Sequence, residues 1–313
     1  MALLGDKSFI VDPAGRAFLS YADTGGALVA RGDPVGEEAA ARALLWQFRE
    51  MADREGKRPV FYAVTPKFIP TFLDMGLTLV KFGEVARVDL SGFTLEEPAM
   101  RDFRQARNRA IRENYRFEIV PAAEIGQLVD ELKRVSDAWL TQKQGKEKAF
   151  AMGSFKKDYL LNFDHAVLRK PGGRRVVAFA NLLQAGRNEL SVDLIRYDPE
   201  GPKFAMDALF GELMLWGKTQ GFDWFYLGAT PFAGTETRAL ASLWQRIGGF
   251  VYEHGEGMYH FEGLRSFKEK FHPIWAPNYI ACQGGLGVAR AFMDANLLIS
   301  GGFKGLVQKG NPE

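Results

Sequence analysis

A single cysteine, Cys282, in 313 residues rules out an internal disulfide and fits a reducing compartment. The four histidines (His165, His254, His260 and His272) form no H-E-x-x-H pattern and no C-x-x-C occurs, so no metal centre is expected. There is no Walker A loop and no G-x-S-x-G elbow, and Gly285-x-Gly287-x-x-Arg290 breaks the dinucleotide fingerprint at its last position. A net charge of only +2 excludes a globally basic nucleic-acid binder, so any basic site must be local. Long apolar runs are missing too. The longest uncharged stretch, Pro273 to Ala289, is interrupted by Pro, Asn, Gln and Gly and would make a poor transmembrane helix. The first residues, MALLGDKSFI, hold no apolar core of a secretory leader, and a soluble body is expected. With 47% hydrophobic and 25% charged residues, the chain has the composition and length for two domains with real cores.

What is present is a repetition. Asp33-Pro34-x-Gly36 opens a helical segment ending at Gly56, followed by a short apolar strand and Thr65-Pro66. At a constant offset of 165 residues, Asp198-Pro199-x-Gly201 opens a second such segment, ending at Gly221 before a strand that runs into Thr230-Pro231. Ala40, Ala43 and Leu44 recur as Ala205, Ala208 and Leu209, making nine identities in 34 ungapped positions. A repeat this long and of mixed character indicates two copies of an α/β domain rather than a solenoid, with one large cleft as the place to look for function.

Three short strands (Phe9–Val11, Ala17–Tyr21, Ala27–Ala30) are separated by turn residues, and Glu37 to Glu55 reads as an amphipathic helix with Leu44, Leu45, Phe48 and Met51 on one face. Strand Val60–Val64, helix Pro66–Met75 and a long strand Thr78–Leu90 follow. The second copy starts near Tyr115. It has a helix from about Ala122 to Leu140, strands His165–Leu168, Val176–Leu183 and Glu189–Ile195, a helix Lys203–Gln220, strand Trp224–Leu227 and a closing helix–strand stretch to Tyr259. This order resembles the N-acetyltransferase (GNAT) fold, an α/β (α+β) architecture present here as a tandem. In that fold coenzyme A pyrophosphate sits in a glycine-paired loop at the end of the central strand. The corresponding places read Arg31-Gly-Asp-Pro-Val-Gly and Arg196-Tyr-Asp-Pro-Glu-Gly, without the glycine pair, and Pro199 removes an amide donor. No coenzyme A and no other cofactor is expected.

Between the copies, Arg101, Arg104, Arg107, Arg109, Arg112 and Arg116 are opposed only by Asp102 and Glu113. At helical spacing most share one broad side. A solvated interdomain helix is the plain reading; an arginine-rich, lysine-free run also suits a phosphate polymer or a lipid phosphate surface. In Ser191-Val192-Asp193-Leu194-Ile195-Arg196-Tyr197, alternation indicates a strand with Asp193 near its end. Asp193 and Tyr197 share a face, and Arg196 needs a bulge or the strand's end to turn toward them. A structural ion pair and a catalytic pair are both open there. In Tyr259 to Phe271, Phe267 and Phe271 read as core, with Lys268 and Lys270 beside them. Leu286 to Ile299 is a terminal apolar helix which, with Lys304 and Lys309, suits either packing or contact with a membrane.

Taken in order, these segments resemble the cytosolic catalytic domain of the bacterial aminoacyl-phosphatidylglycerol synthases, the multiple peptide resistance factors. The resemblance is carried by Gly5-Asp6-Lys7, Gly32-Asp33-Pro34-x-Gly36, Arg107-Asn108-Arg109, Ser136-Asp137-x-Trp139-Leu140 and Glu147-Lys148-x-Phe150-x-Met152-Gly153. It continues in Val192 to Tyr197, Met206-Asp207-x-Leu209, Leu227-Gly228-x-x-Pro231, Phe261 to Phe271 and Pro273-x-Trp275. It implies two GNAT-like copies, at 1–97 and 117–283, joined by a basic helix at 98–116 and followed by an amphipathic segment at 284–313. It implies transfer of an amino acid, lysine or alanine, from aminoacyl-tRNA to the glycerol hydroxyl of phosphatidylglycerol, on the cytoplasmic side of the bacterial inner membrane. The expected catalytic residues are Asp193, Arg196 and Lys268. Tyr159, Glu147, Glu236 and Lys270 are expected to bind substrate, and Arg104, Arg107, Arg109 and Arg112 to bind tRNA. The multi-spanning N-terminal region usual in that family has no counterpart here, and Ala229-Thr230-Pro231-Phe232 departs from its usual pattern. Alternatives are an aminoacyl-tRNA-dependent transferase acting on a peptidoglycan precursor, a non-catalytic RNA- or lipid-binding module, and a conventional acyl-coenzyme A acetyltransferase.

Overall fold

A computed structural model of the chain describes residues 2–143, 145, 147–173, 175–185, 188–231, 233–234 and 259–301. Its strands are β1 (Ser8–Val11), β2 (Ala17–Asp23), β3 (Ala27–Arg31), β4 (Val35–Gly36), β5 (Arg58–Val64), β6 (Thr78–Asp89), β7 (Arg116–Val120), β8 (His165–Arg169), β9 (Val176–Ala185), β10 (Glu189–Tyr197), β11 (Trp224–Pro231) and β12 (Ile274–Cys282). The helices are α1 (Glu38–Arg54), α2 (Ile69–Asp74), α3 (Arg101–Arg112), α4 (Val129–Gln142), α5 (Lys157–Leu160), α6 (Ala205–Thr219), α7 (Tyr259–Glu269) and α8 (Leu286–Ile299).

The repeat becomes two β–α–β units. In the first, β3 leads through α1 to β5, and the two strands pair in parallel. In the second, β10 leads through α6 to β11, again parallel. The apolar stripe of α1 dictates its docking: Leu44, Leu45 and Phe48 are fully buried against Leu19, Leu28 and Phe61. Leu209, Phe210, Leu213 and Met214 of α6 do the same against Leu190, Phe225 and the inner side chains of β8 and β9. Helix α4 covers Val167, Phe179 and Leu194 with Leu132 and Val135, and α8 covers Val29, Val80 and Ile280 with Val288 and Ala291. This is the mixed tandem N-acetyltransferase-like architecture.

Two features differ from the expectation. The segment expected as one helix from Ala122 is a 3-10 turn, Ala122–Gln127, before α4 begins at Val129, which leaves Pro121 and Gly126 outside the α-helix. More consequential is β12, which falls inside the stretch assigned from sequence to the second copy. It lies between β5 and β6 of the first, antiparallel to both. The order β1-β2-β3-β5-β12-β6-β11-β10-β9-β8-β7 is therefore one continuous sheet, with β6 shared by β12 and β11. Pro277 and Asn278 had masked the strand in the sequence; Pro277 sits in the ladder opposite Glu84, and Asn278 is buried at a bulge. The closing stretch expected between Phe232 and Tyr259 lies outside the described residues, as do Lys304 and Lys309.

Because β12 stitches the early strands to the late ones, the sheet should unfold as a unit. Ile280→Ala, at a fully buried position in β12, is expected to lower stability by about 2–5 kcal/mol. Urea titration should show one transition by both tryptophan fluorescence and far-ultraviolet circular dichroism.

Candidate active site

The two units are not equivalent where their parallel strands end. In the first, β3 and β5 pair from Ala27–Arg58 through Arg31–Tyr62. The loop beyond closes on itself: the Thr65 hydroxyl donates to Asp33 at 2.5 Å and its amide lies 3.3 Å from the same carboxylate. In the second, β10 and β11 pair only from Glu189–Trp224 to Ser191–Tyr226. Residues 192–196, the repeat counterparts of 27–31, have no partner on β11. The counterparts of the closing pair are also parted. Asp198 accepts from Arg134 (2.9 Å) and Arg175 (3.0 Å), and Thr230 faces Lys268 (3.2 Å).

Asp193 sits in this opening. Val192 pairs with Leu182 and Ile195 with Ala180, so Asp193 and Leu194 together face Asn181, a bulge. The fully buried Asn181 accepts the Leu194 amide at 2.7 Å through Oδ1, replacing the missing ladder bond. The bulge resets the alternation of the strand, which brings Arg196 within electrostatic reach of Asp193. The Asp193 carboxylate is held from outside the sheet: Gly153 N–H donates to Oδ1 at 2.7 Å and the Tyr159 hydroxyl to Oδ2 at 2.5 Å. Position 153 has to be glycine, because a Cβ there would stand 2.3 Å from the carboxylate. Burial, and then the neighbouring Asp193 charge, push the Tyr159 phenol far above its ordinary value, so it remains a donor.

Arg196 lies with its guanidinium 4.2 Å from the Trp139 ring centre, donates to its neighbour's carbonyl at 2.9 Å and pairs with Glu147 at 3.4 Å. Burial lowers its pKa from the ordinary value, opposed by the Glu147 and Asp193 charges. Its Nε and Glu147 Oε1 are buried without a hydrogen-bond partner among the described residues. A buried donor and a buried acceptor of the pair thus lack partners among the described residues, where such groups are ordinarily satisfied.

The comparisons with known proteins follow this geometry. Residues 1–282 match the family model of the phosphatidylglycerol lysyltransferase C-terminal domain. The chain belongs to that family. The phosphatidylglycerol lysyltransferase of Staphylococcus haemolyticus is 35% identical over 277 residues, covering 88% of this chain and 33% of that protein. The chain therefore spans about a third of the length of the curated relatives it matches. Among solved structures, the C-terminal domain of an Agrobacterium fabrum protein assigned as a lysylphosphatidylglycerol synthetase superposes with a TM-score of 0.85 at 40% identity, covering 96% of this chain and 91% of that one. L-PGS from Bacillus licheniformis superposes at 0.81 and 35%, covering 95% and 90%. No helix among the described residues is long and apolar enough to cross a membrane.

Within this lysyltransferase-family fold, Asp193, Arg196, Glu147 and Tyr159 come together as one cluster. Lys268 does not touch it. Its ammonium, 3% exposed, donates to the carbonyls of Gly228 and Ala229 (2.9 Å each) and to the Thr230 hydroxyl, so its three N–H bonds are committed to β11. Lysine at this position thus satisfies the strand arm opposite Asp193. Lys270 points elsewhere, to Asp207 at 3.3 Å and the rings of Phe103 and Phe267, because it lies two residues on, just past the end of α7 and about 200° around the helix axis from Lys268. Glu236 lies outside the described residues. On α3, Arg104 is bound to the carbonyls of Leu95 and Glu97, Arg107 pairs with Glu212 and Arg109 with Glu113, whereas Arg112 is exposed. Helix α3 packs on α6 through Phe103, Ala106 and Ala110, and that packing draws Arg107 to Glu212 on α6. Sequence reasoning did not assign Gly153, Trp139 or Asn181 to the site. Gly153 and Trp139 were visible in conspicuous segments, but Asn181 has no signal without the bulge it fills.

The two turns that replace the coenzyme A loop are filled by their own chain. Glu200 and Gly201 amides both bond to Asp198, next to Pro199, and Val35–Gly36 forms β4 against β2.

Burial pushes the Lys268 ammonium down to about 7, while its three oxygen acceptors favour the charged form. Above that pH the unfolded chain, with lysine near 10.5, binds the extra proton. Stability should therefore rise from pH 7 toward about 9, by at most about 1.4 kcal/mol per unit. Higher still, ionisation in the unfolded chain of Cys282, whose thiol burial pushes up to about 11 in the fold, and of tyrosines reverses the trend. Lys268→Met should abolish the rise in urea titrations run across this range.

Proposed function

We propose that this chain transfers lysine from aminoacyl-tRNA to a glycerol hydroxyl of phosphatidylglycerol at the cytoplasmic face of a bacterial membrane, lowering its negative charge against cationic peptides. The observation that carries the reading is the Asp193 carboxylate, fixed by two donors beside a buried arginine at the parting of β10 and β11, in a chain of the phosphatidylglycerol lysyltransferase family.

The chemistry is ester exchange. The lipid hydroxyl oxygen forms a bond to the ester carbonyl carbon, the bond to the ribose oxygen breaks, and the hydroxyl proton ends on that ribose oxygen. No redox partner or cofactor is required. Gly153 and Tyr159 each occupy one oxygen of Asp193 but leave lone pairs for the incoming hydroxyl, which the carboxylate orients and relieves of its proton. Arg196 places its guanidinium beside Asp193 for the lipid phosphate or the oxyanion of the tetrahedral intermediate. Glu147 places its carboxylate beside Arg196 for an ammonium of the lysyl group. Lys268 keeps the opposing arm in shape. The exposed outer side of α3, with Arg101, Arg109 and Arg112, offers phosphate contacts for the tRNA.

The test is transfer of radiolabelled lysine from charged tRNA to phosphatidylglycerol vesicles, with label followed into the organic phase. Label should appear in lipid, vanish with RNase, and fall by about a hundredfold or more in Asp193→Ala. Arg196→Lys should also lose transfer, because lysine keeps the charge but neither the stack on Trp139 nor the planar donor. Near-normal transfer by Asp193→Ala would sink the assignment.

A further inference from the structure

The Asp193 carboxylate depends on a segment that the second unit does not anchor by itself. Residues 147–160 bring Glu147 to Arg196 and Gly153 and Tyr159 to Asp193. Midway, Phe150 has φ 58°, left-handed for a residue with a large side chain, and the Ala151 amide bonds back to the Ala149 carbonyl at 2.7 Å. That is a γ-turn of the strained hand, which persists only where its surroundings hold it. The Phe150 ring is buried in the core under α8 and the Ala149 amide bonds to the Ile299 carbonyl at 3.0 Å, but the acceptor for the Phe150 amide itself comes from the start of the chain. Asp6 Oδ2 accepts the Phe150 amide at 2.7 Å. Asp6 Oδ1 is paired at 2.5 Å with Lys7, whose side chain is 1% exposed and whose ammonium lies 5.4 Å from the Phe150 ring centre. Lys156 extends the clasp by donating to the Leu4 carbonyl at 3.1 Å.

We infer that Asp6 is a positioning residue for the transfer reaction: its carboxylate oxygen pins the Phe150 turn so that the Gly153 amide meets Asp193. The first unit thereby completes the site of the second. The inference rests on Asp193 being the group that orients the acceptor hydroxyl. It uses only one property of Asp6, an acceptor atom at one place; the negative charge serves to keep Lys7 buried. Asparagine can supply the same acceptor, and alanine cannot.

The experiment removes the charge pair in both arms and varies only the acceptor, comparing Asp6→Asn/Lys7→Met with Asp6→Ala/Lys7→Met. In the lysine-transfer assay, the second should lose about ten- to hundredfold in kcat relative to the first, at little-changed KM for either substrate. Hydrogen exchange of the Gly153 amide, read on the resting protein, should quicken in the alanine arm only. If the alanine arm does not fold, Asp6→Leu/Lys7→Met, of similar bulk and without an acceptor, carries the same expectation. Equal kcat in the two arms overturns the inference, whatever the exchange shows. If wild type itself transfers nothing, the proposed reaction fails, and the Gly153 amide still decides whether Asp6 fixes that turn: equal exchange in both arms overturns it.

Discussion

Two neighbouring parallel strands ordinarily satisfy each other's amides and carbonyls along their whole shared length, and β10 and β11 cease to do so after Ser191 and Tyr226. Backbone groups left without partners inside a protein are costly, so the opening exists only because other atoms take up what the ladder leaves. Asn181 receives the Leu194 amide on one arm, and Lys268 donates to the carbonyls of Gly228 and Ala229 on the other. Both side chains are buried and both are polar. They are wedges before they are anything else. The gap they hold open is where Asp193 stands.

The two copies differ where their parallel strands end. Asp33 and Thr65 close the first unit's notch by bonding to one another, and their counterparts Asp198 and Thr230 have been drawn apart to Arg134, Arg175 and Lys268. The closed copy is not idle. It lends β6 and shelters β12, and its first residues pin the turn that leads to Gly153. The difference between the two copies at this place is a small set of hydrogen-bond exchanges at equivalent positions.

The electrostatics of the centre have the same logic. Arg196 is stacked on Trp139 and paired with Glu147, and Asp193 receives two neutral donors, so neither charge relies on the other alone. A buried pair satisfied in this way is held in one geometry by its several partners. That satisfaction is incomplete at Arg196 Nε and one Glu147 oxygen, which have no hydrogen-bond partner among the described residues.

The sequence by itself determined the two β–α–β units, because apolar periodicity and turn residues are local and the offset of 165 residues preserves them. It also determined that any turn of Arg196 toward Asp193 requires a bulge or the strand's end; Asp193 itself, expected near the end of its strand, is the middle residue of β10. The tertiary structure alone decided the rest. Strand β12 was hidden because Pro277 and Asn278 read as loop and its partners are far away in the chain. Asn181 looked like an ordinary strand residue because its role is fixed by a bulge on a neighbouring strand. Lys268 and Lys270 are alike in sequence, but one is buried under β11 and the other pairs with Asp207. The arginines of α3 look like one stripe until Leu95, Glu97, Glu212 and Glu113 come in from neighbouring segments to occupy some of them. Local pattern specifies which elements form; which of their polar groups remain available for chemistry is set by partners distant in the chain, and only folding brings those partners near.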